Sequence, residues 1–403
     1  MVPTDSNWTE RLRDPVHGLI VFGAEGQPDR DETDRIAWRL LNTREFQRLR
    51  RIRQLGFSDL VFPGATHSRF AHSVGVYHTA RRLADIIARH REGGHDPIRE
   101  RIALLAALLH DVGHGPFSHA FEAASRAVQT PKSHEQWSIE IITGDTEIGN
   151  ILRTIDGKLP GKIAAVLRSE HPKDIYDTIV SSQFDADRLD YIQRDRMATG
   201  VEFGHIDQDW IFDCLRVGSI IIDEEGQTTP STPIKAQCLY LGPKGISVAE
   251  EYLEARFRLY NAVYMHKTTR SAEKMFEELL KTLFCDLEQM KRRHPSVEIV
   301  RYFAQETPDL ETYLRLDDSS IWSSLSLFSD DTNEDFAKLA TRINNRDLYK
   351  CVDIGNRDFD DDNLFRRFRY KIDSSQLEWK NQVLYDDSSI VAYKWYDFDS
   401  TSA

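Results

Sequence analysis

The stretch IALLAALLHDVGHGPFSHAFE (102–122) determines the fold expected for this chain. Its first eight residues are all apolar, which favours a buried helix, and the glycines that follow end that helix. Pro116 is then expected to open the next helix, because proline is tolerated in a first helical turn. His110 and Asp111 lie where the buried helix ends, and burying an unpaired imidazole and carboxylate there is costly. A divalent metal ion removes that cost, so the sequence predicts a metal site.

Histidines cluster around this stretch. Nine of the fourteen histidines lie between His67 and His134, which core packing alone does not explain. GATHSRFAHSVGVYHTA (64–80) and DADRLDYIQRD (185–195) supply further candidate ligands. Two imidazoles and two carboxylates suit Fe, Mn, Zn or Ni better than Mg. The expected cofactor is one divalent transition metal, held by His72, His110, Asp111 and Asp187.

Composition limits the classes of partner. The 403 residues carry 52 basic and 65 acidic side chains, a net charge of −13, which gives no general attraction to nucleic acid. The four cysteines form no CxxC pair, a pattern typical of a reducing compartment. The segment MVPTDSNWTERLRD lacks an apolar leader, and no apolar run is long enough to cross a bilayer. We therefore expect a soluble, cytoplasmic protein without a membrane partner, and nucleic acid is an unfavoured partner.

Helical periodicity dominates the chain up to about residue 290. LIVFG (19–23) predicts a short strand, and 217–223 with 235–242 predict a small β-hairpin. Ser133 followed by Gln136 predicts a capped helix start, and 247–290 predicts one long helix or a kinked pair. Beyond about residue 295, acidic loops alternate with short periodic segments.

The expected fold class is mainly α, with a helical core, the small β-hairpin and a smaller α+β C-terminal appendage. The expected domains are a flexible N-terminal tail (1–10), a catalytic core (11–295) and the C-terminal appendage (296–403).

A family resemblance rests on six motifs in a fixed order. They are RDPVHGLIVF (13–22), EFQRLRRIRQLG (45–56), HDVGHGPFSHAFE (110–122), HEQWS (134–138), DADRLDYIQRD (185–195) and VYMHK (263–267). In this order they resemble HD-domain metal-dependent phosphohydrolases. The closer resemblance is to deoxynucleoside triphosphate triphosphohydrolases, the group with bacterial dGTPases and the vertebrate dNTPase that carries a SAM domain. The resemblance implies a helical HD-domain core and hydrolysis of dNTP to deoxynucleoside and triphosphate by metal-activated water attack on the α-phosphate.

The resemblance also implies catalytic residues. An imidazole titrates in the range needed to protonate a leaving oxygen. The matching positions put His114, His119 and Glu122 near the scissile phosphate, and His134 with Glu135 matches a further active-site position. The general acid is expected to be His119 or His134.

Cationic side chains are expected to bind the phosphates. A triphosphate carries about four negative charges, which arginine and lysine neutralise together with the metal. The expected ligands are Arg69, which is three residues before His72, and Arg256 and Lys267, which flank Tyr264. A Mg²⁺ ion bridging the triphosphate is a second expected ion.

The sugar contacts follow from the resemblance alone. Tyr191 matches a tyrosine that packs where a 2′-hydroxyl would lie. Asp195 and Gln54 match residues that contact the 3′-hydroxyl.

An arginine-rich stretch (44–53) raises the question of assembly. In the family, this stretch and the DPVHG segment form effector sites at subunit interfaces, and Arg48 and Arg50 match. Glu10, Arg13 and Asn42 depart from the family pattern, so activation by the same rules is not expected. The resemblance implies a homo-oligomer that is dimer-based and extends to a tetramer or hexamer. Two alternatives stay open: an HD phosphohydrolase acting on nucleoside monophosphates or cyclic nucleotides, and a nucleotide-sensing oligomeric scaffold.

Overall fold

The computed structural model of the protein describes residues 8–23, 26, 28–91, 94–128, 132–169, 172, 174–222, 234–352, 361–375 and 383–386. In these residues helices dominate, and strands form only two short antiparallel pairs. The predicted mainly α class is therefore confirmed.

Eighteen α-helices lie within the described residues. They are α1 (Pro28–Leu41), α2 (Arg44–Arg48), α3 (Arg69–His90), α4 (Pro97–Leu109), α5 (His119–Val128), α6 (His134–Thr143), α7 (Glu147–Ile155), α8 (Leu159–Arg168), α9 (Ala186–Thr199), α10 (Gln208–Cys214), α11 (Ile246–Leu259), α12 (Lys267–Cys285), α13 (Leu287–Arg293), α14 (Glu298–Phe303), α15 (Leu310–Leu314), α16 (Asp318–Phe328), α17 (Glu334–Asn344) and α18 (Asp361–Asp373). A π-helical turn, Tyr260–Tyr264, separates α11 from α12, so of the two structures predicted for 247–290 the kinked pair is confirmed and the single long helix is wrong.

The strands form two hairpins. They are β1 (Glu10–Asp14), β2 (Gly18–Phe22), β3 (Leu215–Ile222) and β4 (Ile234–Leu241). β3 pairs with β4 from Leu215↔Leu241 to Ile222↔Ile234, which confirms the predicted hairpin. β2 confirms the predicted strand, whereas its partner β1 was not predicted. Glu10 belongs to β1, and residues 1–7 of the predicted tail lie outside the described residues.

The central helix α3 packs against α4 and α9. Ser68 caps its start by accepting a hydrogen bond from the Ala71 amide, so His72 lies one turn inside the helix on a buried side. The apolar run of α4 is buried throughout, as its composition predicts. This packing brings the C-terminal end of α4 to the N-terminal ends of α3 and α9.

A second hydrophobic cluster accompanies the one that the buried apolar residues of α3, α4 and α9 form. It joins Phe57, Phe117 and Trp137 to residues of α12, α14, α16 and α17, so packing is continuous across residue 295. Every element described after that residue is a helix. The strands of the predicted α+β appendage are therefore wrong for the described residues of 296–403. In α17 the buried residues Phe336, Leu339, Ala340 and Ile343 recur at helical spacing, and this periodicity decides the structure there.

Candidate metal-dependent active site

The four predicted metal ligands converge at the junction of α3, α4 and α9. Nε2 of His72 lies 3.0 Å from Asp187 Oδ1 and 3.8 Å from Asp111 Oδ2. Nε2 of His110 lies 3.3 Å from Asp111 Oδ1 and 3.7 Å from Asp187 Oδ1. Ligand atoms of His72, His110 and Asp111 all lie within 4.8 Å of one another, and Asp187 Oδ1 approaches the two imidazoles.

Hydrogen bonds on the far side of each ring define its orientation. Nδ1 of His110 donates to Ala107 O at 2.8 Å, and Nδ1 of His72 bonds to Asp190 Oδ2 at 2.8 Å. A carbonyl oxygen only accepts, so in the neutral ring the proton of His110 is on Nδ1 and its Nε2 carries a lone pair. Both Nε2 atoms are buried and have no hydrogen-bond partner within the described residues. A ring nitrogen lone pair and a carboxylate repel each other unless a proton or a cation lies between them, so the donor set fits a divalent metal ion.

The pKa values of His72 and Asp187 also indicate that positive charge is favoured between these side chains. Burial disfavours the charged imidazole of His72, but Asp187 and Asp190 outweigh it and raise the pKa of His72 to about 10. Burial likewise opposes the carboxylate of Asp187, yet its close contacts with the His110 and His72 imidazoles lower its pKa. A metal ion therefore competes with protons for these side chains, as is usual for histidine and carboxylate ligands.

Asp190 orients His72 from behind. It is fully buried and accepts hydrogen bonds from His17 Nε2 at 2.6 Å and from Arg194 Nε at 2.7 Å, in addition to the His72 bond. Burial raises its pKa, but the charge of Arg194 and the bonds from His17 and His72 hold the pKa of Asp190 well below its usual range. Asp14 completes the network, since Oδ2 accepts from Arg194 at 2.9 Å and Oδ1 accepts from the His17 amide.

This supporting network was not among the predicted site residues. The sequence assigned DPVHG to an interface, whereas the hairpin turn between β1 and β2 places His17 against Asp190. One signal was available: Asp190 and Arg194 are four residues apart on α9, the spacing of a helical ion pair, and Asp190 lies between Leu189 and Tyr191.

We expect the substitution Asp190→Asn to weaken metal binding by about 10- to 100-fold, the usual effect of losing a carboxylate behind a ligating histidine. Competition with a chelator on the purified protein measures this affinity. Asp34→Asn is the matched control. Asp34 is also fully buried and accepts from Arg81, Tyr77 and the Gly23 amide, but touches no predicted ligand. Equal metal affinity in the Asp190 variant and the wild type would contradict the orienting role.

Three predicted catalytic histidines lie beside the ligands. His114 Nε2 is 3.3 Å from Asp111 Oδ1, and its ring stacks on His134 with centroids 4.0 Å apart. His119 is largely exposed, with its ring centroid 5.5 Å from His114. Burial and the charge of Arg69 hold the pKa of His114 well below its usual range, so this imidazole is neutral. The stacking requires Gly113, because a Cβ there would lie 2.2 Å from the Ser138 amide nitrogen.

Carboxylates accompany these histidines. Glu122 Oε2 bonds to His134 Nδ1 at 3.0 Å, and Glu122 also pairs with Arg126. Burial opposes its ionisation, but the nearby imidazoles of His119 and His134 lower the pKa of Glu122. Glu135 is exposed, with Oε1 3.1 Å from His134 Nε2. The predicted group is thus brought together on one side of Asp111.

The turn before α5 differs from its prediction. The helix begins at His119 rather than Pro116, so the expectation of a Pro116 helix start is wrong. Phe117 and Ser118 have φ angles of 51° and 53°, a left-handed conformation that is rare for such residues. The Phe117 amide instead donates to Asp318 Oδ1 at 2.8 Å. Tertiary hydrogen bonding therefore outweighs the helix-starting tendency of proline.

Arg69 is brought to the metal site. It is buried in the first turn of α3, donates from Nε to Ser118 Oγ at 2.8 Å and forms a hydrogen-bonded ion pair with Asp111. Its guanidinium therefore joins a ligand to the turn that precedes His119.

The predicted sugar-contacting residues form a second group along α9. Tyr264 donates its hydroxyl to Asp195 Oδ2 at 2.7 Å, and the Tyr191 ring lies edge-on to the Tyr264 ring at 6.3 Å. The other oxygen of Asp195 bonds to His67 Nε2 at 2.8 Å, a residue that the sequence did not single out. The Gln54 backbone amide donates to His67 O at 3.0 Å. The side-chain oxygen Oε1 of Gln54 is buried without a hydrogen-bond partner in the described residues.

Two predicted phosphate ligands lie on α11 and α12, outside the junction of α3, α4 and α9. Arg256 is on α11, and its positive charge opposes the rise that burial causes in the pKa of the half-buried Tyr191. Its Nε is buried without a hydrogen-bond partner in the described part of the chain. Lys267 starts α12 and is exposed; in the same described part, no hydrogen bond or ion pair joins it to the four metal ligands.

Side chains of the arginine-rich stretch (44–53) form hydrogen bonds and ion pairs within the chain. Arg48 is 1% exposed and donates to Leu316 O and His114 O, both at 2.8 Å, and its role as an effector ligand stays a prediction. Arg50 is exposed over the Phe70 ring, and its interface role stays a prediction. Arg44 and Arg51 pair with Glu311 and Asp317, respectively. The basic stretch therefore neutralises acids of the C-terminal segment.

Among the described residues, no helix combines the length and the apolarity that crossing a membrane requires.

Comparison with known proteins places these residues in a family context. A model of the HD domain matches residues 69–192, and a model of the HD associated region matches residues 231–379. The uncharacterized protein YwfO of Bacillus subtilis is 34% identical over 391 residues, covering 96% of this chain and 81% of that protein.

Two further relatives carry a functional description. The deoxynucleoside triphosphate triphosphohydrolase SAMHD1 homolog of Dictyostelium discoideum is 28% identical, covering 87% of this chain. The chain spans only 62% of that relative's own length. A phosphohydrolase structure from Bacteroides thetaiotaomicron superposes with a TM-score of 0.70 at 27% identity, covering 91% of this chain and 83% of that one.

Proposed function

The chain belongs to the HD-domain family whose relatives include SAMHD1 deoxynucleoside triphosphate triphosphohydrolases, and on that basis we propose that it is a metal-dependent dNTP triphosphohydrolase. The proposed products are a deoxynucleoside and triphosphate. The observation that carries the proposal is the composition of α9. It holds Asp187 among the metal ligands and, one and two turns later, Tyr191 and Asp195 in the proposed sugar site.

A divalent metal held by His72, His110, Asp111 and Asp187 would supply an activated water and polarise a phosphoryl oxygen. We propose one divalent transition metal at this position, with Mg²⁺ on the triphosphate. The fit rests on the unpartnered Nε2 atoms that face the carboxylates.

The remaining chemistry is assigned to side chains of this chain. Arg69, ion-paired with Asp111, is positioned to bind an oxygen of the α-phosphate. His119 or His134 protonates the 5′-oxygen as it leaves, and Glu122 orients the donor through its contacts with both rings. The neutral ring of His114 contributes a hydrogen bond rather than a charge. Arg256, Tyr264 and Lys267 are the proposed ligands of the distal phosphates.

We expect Tyr191→Ala to narrow the preference for dNTP over NTP by about 10- to 200-fold, the range over which a packed pocket discriminates. The reason is that Tyr191 is proposed to exclude the 2′-hydroxyl.

Asp195→Ala should lower turnover of dNTP far more than turnover of 2′,3′-dideoxy substrates, since these lack the hydroxyl that Asp195 and Gln54 are proposed to bind. Measurements of kcat/KM on paired substrates test both. Tyr240→Ala is the control, since this tyrosine is exposed on β4. Equal hydrolysis of ATP and dATP by the wild type contradicts the exclusion of the 2′-hydroxyl by Tyr191.

Incubation of the pure protein with each dNTP, NTP, nucleoside monophosphate and cyclic nucleotide, with Mn²⁺ or Mg²⁺, tests the function. Triphosphate released from dNTPs alone supports the proposal. Phosphate released from monophosphates or ring opening of cyclic nucleotides supports the other HD phosphohydrolase activity. Nucleotide binding without turnover supports the sensing scaffold.

Assembly and location extend this proposal. We expect a dimer-based homo-oligomer in the cytoplasm, by analogy with the family. Light scattering over a broad concentration range, with and without dNTP, measures the mass. An active protein that stays monomeric throughout contradicts the proposed assembly.

A further inference from the structure

The C-terminal region contacts the turn that carries the catalytic histidines. The Tyr313 hydroxyl donates to Gly113 O at 2.6 Å. Asp318 accepts from the Phe117 amide through Oδ1 at 2.8 Å and from the Arg53 amide through Oδ2 at 2.9 Å. Tyr313 and Asp318 are 2% and 4% exposed, so these bonds are shielded from water.

Arg48 adds an indirect connection. One guanidinium nitrogen donates to His114 O and another donates to Leu316 O, each at 2.8 Å. The guanidinium also lies over the Tyr313 ring, 5.1 Å from its centroid. Segment 313–318 therefore reaches the backbone at Gly113, His114 and Phe117, between ligand Asp111 and His119.

The turn needs this support because its backbone is strained. Phe117 and Ser118 both have the left-handed conformation, which non-glycine residues keep only where surrounding contacts enforce it. The Phe117 amide bonds to Asp318, and the Phe117 ring stacks on Phe57 with centroids 4.0 Å apart. The direction in which His119 leaves the turn therefore depends on Asp318.

Tyr313 supports the opposite side of the histidine group. Its ring stacks on Trp137 with centroids 4.1 Å apart and planes 7° apart. Trp137 is in the first turn of α6, the helix that His134 begins. One tyrosine thus contacts the backbone next to His114 and the helix that carries His134.

We infer that Tyr313 and Asp318 are positioning residues that align the proton-donating histidines with the scissile bond, an inference that rests on the proposed hydrolytic function. They touch neither the metal ligands' side chains nor any proposed substrate contact in the described structure. The region after the HD domain is then part of the catalytic machinery through two buried side chains.

The experiment compares two substrates that differ in one atom. In a dNTP the 5′-oxygen must be protonated as it leaves, whereas in the 5′-thio analogue a sulfur replaces that oxygen and leaves as a thiolate. Misaligned proton donors therefore slow the first reaction selectively. Tyr313→Phe keeps the ring and removes only the hydroxyl. Asp318→Asn keeps the shape and replaces one of two accepting oxygens.

Matched controls come from the same region. Tyr302→Phe makes the same change in a buried tyrosine that packs against Tyr313. Asp331→Asn changes a carboxylate that accepts from Arg293 and His294 instead of from the turn. Metal content and thermal unfolding are measured on all four variants, and amide hydrogen exchange is measured over residues 113–119.

For Tyr313→Phe and Asp318→Asn we expect kcat on dNTP to fall by about tenfold or more, with a fall of less than about threefold on the thio analogue. Metal content should be unchanged, and exchange should accelerate in the turn. Both controls should retain wild-type kcat. An equal fall on both substrates, or no fall on dNTP, overturns the inference. If Asp318→Asn does not fold, Tyr313→Phe alone decides.

Failure of the proposed function gives a different result. Wild-type protein that releases no triphosphate from any dNTP contradicts that function directly. The ratio of the variant's kcat to the wild-type kcat is then measured on the nucleotide that the protein does hydrolyse. It is also measured on the analogue of that nucleotide with sulfur as its leaving atom.

Discussion

Replacing His110 and Asp111 together by alanine is expected to abolish metal binding and to reduce hydrolysis by more than about 10³-fold, beyond the usual effect of removing a single transition-state contact. The double variant removes one imidazole and one carboxylate from the four predicted metal ligands. It also removes the ion pair that holds Arg69. Elemental analysis and turnover of dNTP measure the two effects.

The chain contains its own control for this experiment. His95 and Asp96 form a second adjacent His–Asp pair, at the opposite end of the same helix, where Asp96 caps α4 and His95 bonds to Glu100. Replacing both by alanine should cost about 1 kcal/mol of stability through the lost cap and leave metal content unchanged. Full metal content and activity in a folded His110→Ala, Asp111→Ala variant would contradict the assignment of these two residues as metal ligands.

Gly75→Ala is expected to lower the free energy of unfolding by at least about 3 kcal/mol, the effect of disrupting a buried ion pair. At Gly75, α3 lies close to two side chains of α9. A Cβ there would lie 2.0 Å from Asp190 Oδ1 and 2.3 Å from Arg194 Nη2. Either the helices separate or the ion pair breaks, and both displace the group that orients His72.

Urea unfolding of the metal-free protein measures this effect. Gly161→Ala is the matched control, because Gly161 lies in α8 and an added Cβ meets nothing within 4 Å. The control should gain about 0.5 to 1 kcal/mol, since alanine favours helix more than glycine does. A Gly75 variant as stable as wild type, with the same metal affinity, contradicts the close packing of α3 on α9.

The sequence predicted the elements whose signals are local. The apolar run of α4, the hairpin of β3 with β4 and the capping box at Ser133 are each encoded within a few residues, and all three are confirmed. The positions of the ligand candidates came from motifs, and the structure brings those side chains together.

Predictions failed where distant residues decide the structure. Asp318 supplies the hydrogen bond that keeps Phe117 out of a helix, about 200 residues away in the chain, so Pro116 does not start α5. Arg48 matches an effector position of the family, but carbonyls of Leu316 and His114, both distant in sequence, bind its guanidinium in the interior. Asp190 was quoted within a motif without a role, because its partner His17 is on a hairpin far away in sequence.

Hydrolysis of a dNTP in ¹⁸O-labelled water by the metal-loaded protein tests the central claim most directly. Attack of water on the α-phosphorus with release of the 5′-oxygen puts the label into triphosphate and leaves the deoxynucleoside unlabelled. Mass spectrometry of both products distinguishes this outcome. One ¹⁸O atom in intact triphosphate is the predicted result. Release of deoxynucleoside monophosphate with pyrophosphate, or of inorganic phosphate from the γ-position, contradicts the account.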